Sequence, residues 1–208
     1  MLHKLQYISQ GSDPAAHIHN IESVLDAGVK LIQLRLKNSS DEMYTEYGIK
    51  AKELCGKYHA QLIINDNPMV AKTCHADALH LGLSDMGVLE ARQIIAGKII
   101  GGTANTIEHI KQRYAEKVNY IGLGPYRFTS TKEKLSPVLG IEGYRKMIHH
   151  MKTENIDIPV YAIGGIELKD IEAIIATGIY GIAVSGLLTQ SSNKENLVKE
   201  IHKILDHA

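Results

Sequence analysis

The sequence predicts an α/β fold, a (β/α)8 TIM barrel with its site at the C-terminal end of the strands, and three observations carry that prediction. Short runs of aliphatic and β-branched residues alternate with amphipathic stretches about eight times in 208 residues. No linker or low-complexity segment interrupts the series, so residues 1–208 are expected to form a single domain. The unusual polar residues fall just after the apolar runs, and a closed ring is the arrangement that brings so many strand ends to one centre. A doubly wound open sheet shares the alternation and is the competing architecture.

In chain order, residues 5–9 read as the first strand and 16–27 as a helix closed by Gly28. Residues 30–36 form the second strand. The helix at 40–59 is entered through Ser39 and Ser40, with Asp41 and Glu42 in its first turn, where carboxylates favour the positive end of the helix dipole. Residues 61–65 are the third strand, followed by a short helix from Pro68, whose ring suits a first helical turn. The fourth strand at 78–81 leads to a helix at 88–96 ended by Gly97, and the fifth at 99–103 to a helix at 107–116. The sixth, at 120–124, is followed by the longest irregular stretch, 125–139, which in a compact barrel reads as a lid. A helix at 141–153, strands at 159–163 and 181–185, and helices at 168–177 and 194–206 complete the series.

Composition removes several functions. The 23 basic and 23 acidic residues balance, so there is no global electrostatic case for nucleic acid or an anionic membrane, and the absence of Trp argues against a base-stacking surface. Any phosphate binding must be local. Cys55 and Cys74 lie far apart with no CxxC pair, which fits a reducing compartment. Nothing approaches the roughly 18 apolar residues of a membrane span, and residues 1–6 have no signal-like apolar core, so a cytoplasmic protein is expected. A homo-oligomer is compatible with all of this.

Three sparse segments ask for related ligands. Along the second strand, period-2 alternation puts Gln33, Arg35 and Lys37 on one face and Leu34 and Leu36 on the other. With the leucines packed on helices, the amide, guanidinium and ammonium point into the barrel mouth as a complement to a diphosphate. Asn65-Asp66 ends the third strand and Ser84-Asp85 follows the fourth, and two acids after neighbouring strands suit one Mg²⁺ completed by waters and substrate oxygens. Asp is also a common cap and loop residue, which is the structural alternative. Thr129, Ser130, Thr131 and Lys132 place three hydroxyls and a cation in the long loop. Thr103 after the fifth strand, Gly165 after the seventh and Ser185-Gly186 after the eighth add a hydroxyl and exposed backbone N–H groups of the kind that bind phosphate. His80 is read as a hydrogen-bonded core histidine, and the remaining histidines lack zinc spacing.

Taken together these segments resemble the thiamin phosphate synthase family, from about Leu31 to Gly186. Gln33-Leu34-Arg35-Leu36-Lys37 is similar to the family's QLREK, Asn65-Asp66 to its ND, and His80 through Asp85 to HLGQxD. Gly122 through Lys132 is similar to GxGPxxxTxTK, and Ala162 through Ile166 to AIGGI. The resemblance implies an Mg²⁺-dependent transferase that joins a pyrimidine diphosphate to a thiazole phosphate and releases diphosphate. It further implies that residues 33–37, Asn65, Thr103 and Lys132 surround the pyrimidine diphosphate and that Asp66 and Asp85 bind the metal. Thr129, Ser130, Thr131, Gly165, Ser185 and Gly186 would hold the thiazole phosphate. Arg35, Lys37 and Lys132 are the implied catalytic cations.

The chain departs from the pattern at Leu36, Leu83, Thr103 and Ser185-Gly186, where the family usually carries Glu, Gln, Ser, and a hydrophobic residue followed by Ser. A thiazole tautomerase shares the outer motifs but places a His where this chain has Pro125. A non-catalytic phosphate-binding barrel is the alternative from outside enzymology.

Overall fold

The computed structural model describes residues 2–128 and 137–206. Its strands are β1 (Leu5–Ile8), β2 (Leu31–Leu34), β3 (Gln61–Asn65), β4 (Ala78–Leu81), β5 (Ile99–Ala104), β6 (Tyr120–Leu123), β7 (Val160–Ile163) and β8 (Gly181–Val184). They pair in parallel in sequence order, and β8 closes against β1. Closure excludes the open sheet, because β1 has partners on both sides.

Around the barrel run α1 (Pro14–Asp26), α2 (Asp41–Lys57), α3 (Pro68–Thr73), α4 (Val88–Ile94), α5 (Ile107–Ala115), α6 (Gly140–Thr153), α7 (Ile171–Ile175), α8 (Gly186–Thr189) and α9 (Lys194–Asp206). Local chemistry sets their starts. Asp13, Ser40, Asn67 and Thr106 each accept a hydrogen bond from the backbone N–H three residues on, satisfying donors that the first turn leaves open.

The period-2 alternation of the strands builds two cores. Leu5, Tyr7, Ile32, Leu34, Leu62, Ile64, Leu79 and Leu81 join the helices in one cluster, while Ile8, Leu31, Ile63, Ala78, Tyr120, Tyr161 and Ala183 fill the barrel interior. Above that apolar plug, Gln33, Asn65, His80 and Thr103, from β2 through β5, are buried although polar. The barrel mouth is therefore polar on one half, while Ile8, Ile163 and Ala183 make the other half apolar.

Three helix side chains pin the C-terminal ends of neighbouring strands. Tyr44 of α2 donates toward the carbonyls of Leu34 (2.8 Å) and Asn65 (2.9 Å) and accepts from the Asn65 N–H (3.2 Å). Tyr144 of α6 donates to the Leu123 carbonyl (3.0 Å) and accepts from the Ile163 N–H (3.3 Å). Arg113 of α5 donates to the carbonyls of Thr103 (3.1 Å) and Gly82 (2.7 Å). Burial pushes both tyrosine hydroxyls well above their ordinary range, so they stay protonated donors.

Element order agrees with the sequence reading; several ends move by one or two residues, and three differences have structural consequences. β2 ends at Leu34, two residues earlier than expected, because β1 stops at Ile8 and the Ser9 hydroxyl takes the Arg35 N–H (3.0 Å) that a longer ladder would have used. The helix expected at 168–177 is a 3-10 turn, Leu168–Asp170, continued by α7. The short helix α8, directly after β8, was not expected.

Candidate active site

The loops after all eight strands surround a cavity of about 1650 Å³ at the C-terminal face of the barrel. That exceeds the roughly 300–1,000 Å³ of a pocket for one small ligand, leaving room for two.

Gln33, Arg35 and Lys37 line the cavity as the alternation required, but Leu36, expected to face only the helices, lines it too, because the ladder has ended at Leu34 and no longer fixes its side. Leu36 also packs in the strand–helix core, reaching both environments from the strand's edge. Leu34 does not reach the cavity. It is fully buried among the helices, so what it brings to this region is its carbonyl, held by Tyr44. The backbone of Arg35 is anchored by Ser9, whose hydroxyl oxygen also lies 2.7 Å from Nδ1 of the buried His17. Burial lowers the His17 pKa, which favours a neutral ring as acceptor from Ser9.

Asn65, Asp66 and Asp85 line the same side. Asp66 adopts a left-handed backbone (φ 66°), unusual for a residue other than glycine, and its N–H donates to the His80 carbonyl at 2.8 Å. Burial, then the hydrogen bond and charge of the neighbouring Asp85 carboxyl, push the Asp66 carboxyl up to about 7, against the pull of Lys37 and Arg35. Asp85 Oδ2 accepts from the Gly82 N–H at 2.5 Å. His80 is a hydrogen-bonded core residue at the cavity floor, its Nδ1 3.1 Å from the Tyr120 hydroxyl and its Nε2 3.0 Å from the Thr103 hydroxyl. Thr103, expected to offer its hydroxyl to a ligand, thus already holds one protein partner.

Among the described residues no group of three or more His, Cys, Asp and Glu side chains converges on a metal position. Of the four described acids that line the cavity, Asp13, Asp66, Asp85 and Glu167, the two that lie beside one another are Asp66 and Asp85. Two crowded carboxylates, one of them resisting ionisation, fit a hard divalent cation that takes its other oxygens from water and a phosphorylated ligand.

Across the cavity, Gly165, Ser185 and Gly186 line the loops after β7 and β8. Gly165 has φ 66°, and a Cβ there would lie 2.9 Å from the Arg127 Cβ, so this close, left-handed turn requires glycine. Thr129, Ser130, Thr131 and Lys132, with the centre of the expected lid, lie outside the described residues. Pro125 lines the cavity.

The sequence reading missed Ser9, His17, Arg113, Arg127 and Asp170. An arginine on an amphipathic helix or in a polar loop carries no local mark of burial or pairing. Ser9 stood at the end of an expected strand, which hinted at the cavity without revealing its partner.

Fold and cavity together define a class: a (β/α)8-barrel protein with cations and paired carboxylates gathered on one side of a roomy mouth. A sequence profile described as thiamine monophosphate synthase matches residues 5–188. The thiamine-phosphate synthase of Flavobacterium psychrophilum is 54% identical over 207 residues, spanning 99% of this chain and 100% of that protein. That of Flavobacterium johnsoniae is 52% identical over 206 residues, spanning 99% and 97%. Among solved structures, thiamine phosphate pyrophosphorylase from Pyrococcus furiosus superposes with a TM-score of 0.84 at 28% identity, covering 98% of this chain and 96% of that one. The chain belongs to the thiamine-phosphate synthase family, a family of transferases. No described helix is long and apolar enough to cross a membrane.

Proposed function

We propose that this chain joins 4-amino-2-methyl-5-(diphosphooxymethyl)pyrimidine to 4-methyl-5-(2-phosphooxyethyl)thiazole or its carboxylate, giving thiamin phosphate and diphosphate, with CO₂ as a further product from the carboxylate, in an Mg²⁺-dependent reaction. The observation that carries it is the convergence of Gln33, Arg35, Lys37, Asn65, Asp66 and Asp85 on one side of a single cavity. An anionic group with several charges is the natural occupant of that side, and a second phosphate has the glycine turn at Gly165 and the backbone at Ser185-Gly186 opposite it.

On this reading Arg35 and Lys37 neutralise the diphosphate as it leaves, with Lys132 of the long loop as third cation. Each contact strengthens as charge builds on the leaving oxygen, which is how fixed cations lower a barrier. Gln33 and Asn65 orient the pyrimidine diphosphate by hydrogen bonds. Asp66 and Asp85 would hold Mg²⁺, which when bound adds positive charge beside the diphosphate. Thr129, Ser130 and Thr131, with Gly165, Ser185 and Gly186, keep the thiazole phosphate in place so that the ring nitrogen meets the pyrimidine methylene carbon as the C–O bond opens. The substitution is dissociative: the electron pair of that bond departs with diphosphate, and the nitrogen lone pair forms the new C–N bond. No protein base is required, and positioning and charge supply the rate.

Purified protein given both substrates and Mg²⁺ should release diphosphate and form thiamin phosphate in equal amounts, and omission of any one should stop it. Thiazole isomerisation without diphosphate release would instead establish tautomerase chemistry, for which Pro125 supplies no titratable group.

A further inference from the structure

Arg113 lies in α5, and its side chain is almost completely buried, 5% exposed. Burying a guanidinium is costly unless its donors are satisfied, and here they are spent on two strand ends and one acid. Nε donates to the Thr103 carbonyl at 3.1 Å, Nη2 to the Gly82 carbonyl at 2.7 Å, and Nη1 to Glu116 Oε2 at 2.9 Å. Gly82 and Thr103 both line the cavity, where the Gly82 N–H holds Asp85 and the Thr103 hydroxyl meets His80. Tyr44 and Tyr144 pin other strand pairs with a neutral hydroxyl. Only between β4 and β5 is the pin, among these three, a charged fork, which makes roughly twice as strong a hydrogen bond. Gly102 makes room for it. A Cβ there would lie 2.7 Å from Arg113 Cδ and 2.8 Å from Nε, both mid-chain atoms that the hydrogen bonds hold in place.

We propose that Arg113 is a positioning residue for the active site: by gripping the Gly82 and Thr103 carbonyls it fixes the turn that presents the Asp85 carboxylate to the cavity. Arg113 itself does not line the cavity. The importance of Asp85 rests on the function proposed above, whereas its positioning by Arg113 can be tested without that reading.

The test compares wild type, Arg113→Met, Arg113→Lys, Gly102→Ala and the Arg113→Met/Gly102→Ala double variant. Amide hydrogen exchange at Gly82, resolved by NMR, should be at least tenfold faster in Arg113→Met and intermediate in Arg113→Lys, while Ile63 and Ile64 of β3 keep wild-type protection. Calorimetric titration of Mg²⁺ in the presence of inorganic diphosphate should give about tenfold weaker binding in Arg113→Met, with partial recovery in Arg113→Lys. Gly102→Ala should mimic Arg113→Met and add little to it. A lowered Tm with unchanged Gly82 exchange and unchanged Mg²⁺ affinity would reduce Arg113 to a packing role and overturn the proposal. If Arg113→Met does not fold, Arg113→Lys and Gly102→Ala decide the question by the same readouts. If the wild-type protein binds no Mg²⁺ and releases no diphosphate, the proposed function fails, and the Gly82 exchange still decides the role of Arg113.

Discussion

Arg127 and Asp170 form a two-pronged ion pair, Nη1 to Oδ2 and Nη2 to Oδ1, both at 3.0 Å, which fastens the loop after β6 to the turn after β7. The same guanidinium donates to the Gly165 carbonyl at 2.6 Å, so it also holds the glycine turn that lines the cavity. Asp170 completes the arrangement by accepting from the Glu167 N–H at 2.8 Å, as half of a capping box.

Breaking this pair should affect stability and activity differently at its two ends. Asp170 is buried and caps a turn, so Asp170→Ala should cost roughly 2 kcal/mol of stability by denaturant titration. Arg127 is partly exposed, so Arg127→Ala should cost under about 1 kcal/mol, yet raise KM for the thiazole phosphate by loosening the Gly165 turn. Burial opposes ionisation of Asp170, but Arg127 and the Glu167 N–H outweigh it and hold the carboxyl below its ordinary value. A depressed carboxyl stabilises the fold above the unfolded value, and that contribution is lost only as pH falls below about 4. Asp170→Asn should therefore flatten part of the acid limb of the stability–pH curve and leave the slope between pH 6 and 8 unchanged.

Mg²⁺ should raise the Tm of the wild-type protein in the presence of diphosphate, and more at pH 8 than at pH 6. Asp66 sheds its proton only near 7, and below that the proton competes with the cation. Asp66→Asn and Asp85→Asn should each remove the Mg²⁺ effect in a thermal melt while remaining folded. Persistence of the full shift in both variants would refute the metal site.

Arg35 and Leu36 are adjacent and should fail in opposite ways. Arg35→Ala removes a cavity-lining cation and should lower turnover by tens to hundreds of fold, the equivalent of roughly 1.5–3 kcal/mol, with little change in Tm. Leu36 is buried in the strand–helix core, so Leu36→Ala should cost about 2–3 kcal/mol of stability with a smaller effect on turnover. Equal effects on turnover would contradict the assignment of the Arg35 charge to catalysis.

Tyr44→Phe should destabilise the protein by roughly 1–3 kcal/mol although it deletes one oxygen, because it strips a partner from buried backbone at the ends of β2 and β3. Urea titration of Tyr44→Phe measures this, and Tyr144→Phe should behave alike at β6 and β7.

Much of the fold was legible because its signals are local. The bounds of β3 and β4 follow from short apolar runs between turn residues, and Ser40 marked the start of α2 by its type. Gln33, Arg35 and Lys37 could be assigned to the cavity from alternation, but past Leu34, where the ladder ends, Leu36 lines the cavity as well, so there the alternation no longer separates the two faces. Leu34 shows the limit of motif reasoning: the residue sits inside the motif, but its side chain belongs to the other core.

The sequence by itself determined the barrel, the family and the side of β2 that faces the cavity, since periodicity and motif spacing are properties of neighbours along the chain. Tertiary structure alone decided that Ser9 anchors Arg35 from 26 residues away, that Arg113 reaches Gly82 across 31, and that Arg127 meets Asp170 across 43. It also decided that Asp66 resists ionisation, which depends on burial and on Asp85 lying beside it. The physical reason is common to all four. Hydrogen bonding, burial and charge coupling depend on distance in space, and barrel closure brings together strand ends that nothing in their local sequence marks as partners.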